Sequence, residues 1–203
     1  MTHETPADYI ENSGMALVSK AADFALKMHE GQFRKGDGRP YIVHPIGVAL
    51  KVASVAPENH TAIAAAFLHD GPEDKRTTMG AILLEFGPGV TRIVDDVTEK
   101  DKSLSWRERK EQAIEHVDHM GEGSLLVKAA DKLDNLTSLY EALLERGLDA
   151  LKSFNAPLAM QVEMDRKLID ALSKRWPENP LLPDLRNAFA RIEQYLKDST
   201  SKD

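Results

Sequence analysis

The chain has 203 residues, 42% hydrophobic and 29% charged, with no cysteine and a formal charge of −7. That excludes disulfides, thiolate metal sites and a cysteine nucleophile, and it denies the chain the overall basic field of a nucleic-acid binder. No apolar run approaches the roughly 20 residues a membrane helix needs, and the opening MTHETPADYIENSG lacks a basic stretch followed by an apolar one, so a cytoplasmic protein is expected, with neither nucleic acid nor membrane as partner.

The helical period runs through almost every segment, and no stretch sustains the alternation of a half-buried strand. An all-α single domain over 1–203 is expected, with frayed ends near 1–12 and 198–203. Leu17, Ala21, Phe24, Ala25 and Met28 share one face of a first helix. Pro45 opens a second, PIGVALKVASVA, where its missing N–H costs nothing. Asn59 suits the cap of HTAIAAAFLHD, a third helix apolar nearly all round and therefore central. TTMGAILLEF, stopped by Gly87, and GVTRIVDDVTE follow as two helices. Ser105 and Glu108 have capping-box spacing for WRERKEQAIEHVDHM, which Gly121 ends. SLLVKAADKLDNLTSLYEALLE makes a long amphipathic helix ending before Gly147. A segment interrupted at Pro157 comes next, then a last helix near LPDLRNAFARIEQYLKD.

The third helix runs into four ionisable groups: His69, Asp70, Glu73 and Asp74. Neighbours lie about 100° apart around a helix, so His69 and Asp70 can both lean toward a point beside its end. Burying such a set is costly unless something positive holds it, and a divalent cation is the simplest candidate. A His-Asp dipeptide alone is more often an ordinary hydrogen-bonded pair. The weight comes from His44, just before the second helix, and from Asp131 and Asn135, at i and i+4 on one face of an otherwise apolar helix. Two histidines and two carboxylates form a mixed nitrogen and oxygen donor set that suits Mn²⁺, Fe²⁺ or Mg²⁺. His3, His29, His60, His116 and His119 have no partner at metal spacing and read as structural or solvent-facing, while Trp106 and Trp176 read as packing residues.

In order and spacing, His44, His69-Asp70 and Asp131 match the H…HD…D signature of the HD-domain metal-dependent phosphohydrolases. The blocks HEGQFRKGDGRPYIVHPIGVA, AAFLHDGPED, EFGPGVTRIVDDVTEKDK and LVKAADKLDNL resemble successive blocks of the hydrolase domain of the RelA/SpoT family, which degrades the alarmones (p)ppGpp. The similarity covers roughly residues 15–160, and the chain, too short for synthetase and regulatory domains, resembles the small stand-alone alarmone hydrolases. It implies the HD-domain helical fold, with His44, His69, Asp70 and Asp131 holding one Mn²⁺. Glu73 and Asp74 would be the catalytic acidic pair, and Asn135 the contact to the nucleotide sugar. Arg34 and Lys35 match a pair that borders base and phosphates, and Lys102 and Arg109 fall in a segment whose basic residues meet phosphate. FNAPLAM resembles a segment that closes the pocket. Gly71-Pro72 departs from the family, which usually carries two β-branched or small residues there; proline's fixed φ and missing N–H are expected to start a new turn before Glu73 and Asp74.

The implied reaction is removal of the 3′-diphosphate from (p)ppGpp, giving GDP or GTP and diphosphate. Two alternatives stand beside it: the same chemistry on (p)ppApp or on the 2′-phosphate of NADPH, and a catalytically silent nucleotide sensor. A homodimer is compatible with the sequence, which does not fix the oligomeric state.

Overall fold

The computed structural model describes residues 14–34, 38–153 and 156–200. Among these, eight α-helices follow in order: α1 (Gly14–Met28), α2 (Val43–Val55), α3 (His60–Leu68), α4 (Met79–Val97), α5 (Trp106–His116), α6 (Glu122–Arg146), α7 (Leu158–Arg175) and α8 (Leu182–Thr200). Short 3₁₀ segments occupy Val117–His119 and Gly147–Ser153. The described residues form no strand, and extended pairing is reduced to one bridge between Phe33 and Pro40. Lys35, and Phe154 and Asn155 of the FNAPLAM segment, lie outside the described residues.

The alanine-rich α3 occupies the middle. Ala62, Ala64, Ala65, Ala66 and Leu68 are fully buried, and α3 packs against α1, α2, α4 and α6. Small side chains on every face let four helices approach closely. The Asn59 side chain accepts a hydrogen bond from the Ala62 N–H at 3.1 Å, as its cap position predicts. At the far end the helical hydrogen bonds stop at Leu68, and the negative end of the helix is directed at His69 and Asp70.

Three local expectations meet the structure differently. Helix α2 begins at Val43, so Pro45 is its third residue, still in the first turn where an N–H has no intrahelical partner. The two helices expected around Gly87 run on as α4 across a kink there, at φ 75° and ψ 177°. Glycine alone reaches that conformation without strain, and Pro88 restarts the helix. Helix α8 continues through Thr200, beyond the point at 198 where a frayed end is expected to begin. Gln194 donates to Asp198, and Ser199 donates to the Tyr195 carbonyl, both at 2.8 Å. The Ser105–Glu108 capping box forms in both directions and starts α5 as its spacing predicts.

Candidate functional site

Three helices deliver the donors. His44 lies in the first turn of α2, His69 and Asp70 follow the last turn of α3, and Asp131 lies mid-way along α6. His44 and His69 are only 3% and 4% exposed. One donor atom from each of His44, His69 and Asp131 falls within 4.8 Å of the other two. Asp70 closes the ring, with one oxygen 3.3 Å from His69 Nε2 and the other 3.5 Å from His44 Nε2. Asp131 Oδ1 lies 3.3 Å from His44 Nε2 and 3.8 Å from His69 Nε2.

Each imidazole is aimed by the nitrogen that faces away from the site. His69 Nδ1 donates to the Ala66 carbonyl at 2.8 Å, one of the orphan carbonyls at the end of α3. That leaves its buried Nε2 without a hydrogen-bond partner. His44 Nδ1 donates to Asp134 Oδ2 at 2.7 Å, and Lys51 holds the other oxygen of Asp134 at 2.7 Å. This carboxylate–imidazole pair is the arrangement that fixes tautomer and ring orientation in metal ligands. Gly47 makes it possible, because a Cβ there would sit 2.3 Å from Asp134 Oδ1.

The electrostatics call for a cation. Burial pulls the His44 imidazole down, but its bonds to Asp131 and Asp134 outweigh it and raise it to about 10. His69 is also raised against the pull of burial, chiefly by the charges of Asp70 and Asp131. Burial works to raise the Asp131 carboxyl, yet the two imidazoles hold it well below the usual carboxylate range. Carboxylates that favour protons on two buried imidazoles would equally favour a dication, with the rings neutral. The unpartnered Nε2 of His69 and the mixed donor set fit such an ion.

Glu73 and Asp74 lie on the turn after His69 and Asp70. The Asp74 N–H bonds to the Asp70 carbonyl at 2.9 Å, so one helix-like turn survives across Gly71-Pro72. The break comes later, at Lys75, whose φ of 58° is left-handed. Both acidic residues border the metal cavity, which has a volume of about 180 Å³. A larger adjoining cavity, about 560 Å³, includes Arg34, Asn135 and Asp74 in its wall.

The other expected contacts divide. Asn135 donates to Asp131 Oδ1 at 2.6 Å and lines both cavities. Arg34 donates to Ser138 at 3.2 Å and reaches within 3.9 Å of Asp134. Lys102 lines neither cavity and instead pairs with Glu73 at 2.7 Å. Arg109 is not among the residues that line either cavity; its guanidinium donates to Glu99 and to the Leu104 carbonyl, both at 2.9 Å, and ties α5 to the segment after α4. The neighbouring Lys110, which also pairs with Glu99, lines both cavities, as does Lys128 of α6, while Lys132 lines the larger one and pairs with Asp165. Trp106 also lines the larger cavity, with Lys110 5.8 Å from its ring centroid. These cations, with Asp134 and Tyr41, went unread in the sequence. The i+3 relation of Lys128 to Asp131 was the available signal.

With this geometry in place, a family model described as HD domain matches residues 21–159. The chain belongs to the HD-domain family. Guanosine-3′,5′-bis(diphosphate) 3′-pyrophosphohydrolase MESH1 of Mus musculus is 46% identical over 129 residues, 63% of this chain and 72% of that protein. The guanosine-3′,5′-bis(diphosphate) 3′-pyrophosphohydrolase of Aquifex aeolicus is 38% identical over 190 residues, 90% of this chain and 26% of that longer protein. The solved structure of a metazoan ortholog of SpoT, described as hydrolysing ppGpp, superposes with a TM-score of 0.72 at 27% identity, covering 94% of this chain and 98% of that one. This HD-domain chain therefore sits in the branch of those pyrophosphohydrolases, and its helices converge on the H…HD…D residues.

Proposed function

We propose that this HD-domain enzyme removes the 3′-diphosphate of a guanosine alarmone, (p)ppGpp, releasing GDP or GTP and diphosphate. The observation that carries the proposal is the meeting of His44, His69, Asp70 and Asp131 at one point, beside Glu73 and Asp74, in a cavity that Lys110 and Lys128 also line and that adjoins the larger one bearing Arg34 and Lys132. The names of the relatives support the same substrate. His44, His69, Asp70 and Asp131 would hold one Mn²⁺, and no thiolate enters the set. Bound there, such an ion supplies a lowered proton affinity for water and offsets charge on phosphorus.

The chain's own groups supply the rest. Glu73 or Asp74 takes the proton of the attacking water. A bond forms between that water's oxygen and phosphorus, and the bond from phosphorus to the ribose 3′ oxygen breaks. The ribose oxygen leaves with a proton and the diphosphate departs. The lysines and Arg34 provide, locally, the positive charge that a chain of net −7 lacks overall, and so hold the phosphates. Asn135, beside Asp131, would meet the sugar.

A metal-dependent hydrolysis screen tests this directly, comparing ppGpp, ppApp and NADPH with products identified by mass. Turnover of ppGpp to GDP and diphosphate is the expected outcome. Preference for ppApp or NADPH would reassign the substrate, because preference is a difference in transition-state binding. Tight binding without turnover at full metal content would leave only a sensor.

A further inference from the structure

We propose that His29 and Gln32 form a positioning pair that sets Asp74 for catalysis, with His29 acting through Gln32 and neither required to touch the nucleotide. The proposal rests on Asp74 belonging to the catalytic acidic pair.

His29 follows α1 and is 3% exposed. Its Nδ1 lies 2.7 Å from Gln32 Oε1, and Gln32 Nε2 lies 2.7 Å from Asp74 Oδ2. An amide oxygen and a carboxylate oxygen only accept, so the relay runs one way: Nδ1–H donates to Oε1, and the amide N–H donates to Asp74. That assignment of the proton to Nδ1 agrees with the surroundings of Nε2, which is buried without a partner; a proton there would be an unsatisfied donor. His29 thereby fixes which way round the amide sits. A half-turn about the last bond of Gln32 would exchange nitrogen for oxygen and set a lone pair against the carboxylate.

Both ends of the relay are braced. The Gln32 backbone is tied at its N–H to the His29 carbonyl at 3.0 Å, and at its carbonyl to the Tyr41 N–H at 2.8 Å. The His29 ring stacks on Tyr41, with centroids 4.9 Å apart and planes at 28°, and Tyr41 donates to Asp70 at 2.7 Å. One buried imidazole thus backs both Asp74 and the hydroxyl that holds Asp70. Gln32 and Asp74 are 42 residues apart in sequence and meet on the wall of the larger cavity. A single solvent-accessible hydrogen bond there adds little to stability. Its effect falls on where the acid points, and small misplacements of a reacting group are expensive in rate.

Gln32→Met keeps the length and apolar stem of the side chain while removing both bonds. His29→Phe keeps a ring against Tyr41 while removing Nδ1–H. For Gln32→Met the expected result is a fall in kcat of about 10- to 100-fold, with KM within about twofold and manganese content unchanged. His29→Phe falls in the same direction by less. In an Asp74→Asn background, Gln32→Met produces no further loss, because its effect passes through the missing acid. The wild type also shows a slowly exchanging imidazole N–H proton resonance that Gln32→Met abolishes. Should His29→Phe not fold, Gln32→Met, at a partly exposed position, carries the test alone. Full additivity with Asp74→Asn, or a raised KM at constant kcat, overturns the proposal by placing Gln32 on the nucleotide itself. An inactive wild type at full metal content sinks the functional reading instead, so the two failures are distinct.

Discussion

The donors at the centre of the site do different work, and single substitutions separate them. Asp70→Ala removes two carboxylate oxygens, one facing each imidazole, and is expected to abolish bound metal and activity together, read by elemental analysis beside a rate assay. Glu73→Ala leaves the four donors intact and is expected to keep the metal while losing about 10²- to 10⁴-fold in kcat; a parental rate would remove Glu73 from the mechanism. Asp134→Asn weakens the grip on His44 Nδ1 and is expected to lower metal affinity about 10- to 100-fold, measured by competition with a metal-binding dye. The sequence made His44, His69, Asp70 and Asp131 legible because histidine and aspartate set in apolar helices demand a partner. Asp134 was illegible for the opposite reason: three residues after Asp131 in KAADKLDN, it looks like one more charge on an amphipathic face. Only the packing of α2 onto α6 brings it to His44. Arg109 and Lys110 show the same limit: both pair with Glu99, and only the packing of α5 puts Lys110 on the cavity wall.

Element by element, the helices were readable where caps and apolar periods coincide, as at Asn59 and Ser105. They were less so where backbone geometry decided the outcome, as at the Gly87 kink, which joins two expected helices into α4. The contact between α2 and α6 depends on Gly47. Gly47→Ala places a methyl group on Asp134 Oδ1, and is expected to mimic Asp134→Asn in metal affinity while leaving the helical circular dichroism unchanged. The attachment of α5 to the segment after α4 depends on Glu99. Burial works to raise that carboxyl, but Lys110 and Arg109 outweigh it and hold it below its usual 4.5. A carboxylate depressed in the folded state contributes stability that is full above its unfolded value and is lost as pH falls through the folded one. The wild type is therefore expected to exceed Glu99→Gln in urea midpoint at neutral pH, with the gap closing as pH drops below about 4.5. A constant gap across a pH series of urea titrations would show that the ion pairs do not anchor α5.

At the scale of the molecule, donors from positions 44 to 131 come together only when α2, α3 and α6 are packed. An ion that binds the folded state alone adds stability in proportion to its occupancy, about 2.7 kcal/mol at a hundredfold excess over Kd. For a chain of 203 residues that predicts a loss of about 5–10 °C in Tm on chelation, reversed by Mn²⁺ and read by calorimetry. No described helix is long and apolar enough to cross a membrane, in keeping with the composition.

The donor set, all imidazole nitrogen and carboxylate oxygen, has a consequence for selectivity. Such ligands follow the general affinity order in which zinc and copper outbid manganese, and nothing about their softness turns those competitors away. The metal the enzyme carries is then decided by what its surroundings supply. Protein loaded under zinc excess would be correctly folded and occupied by zinc.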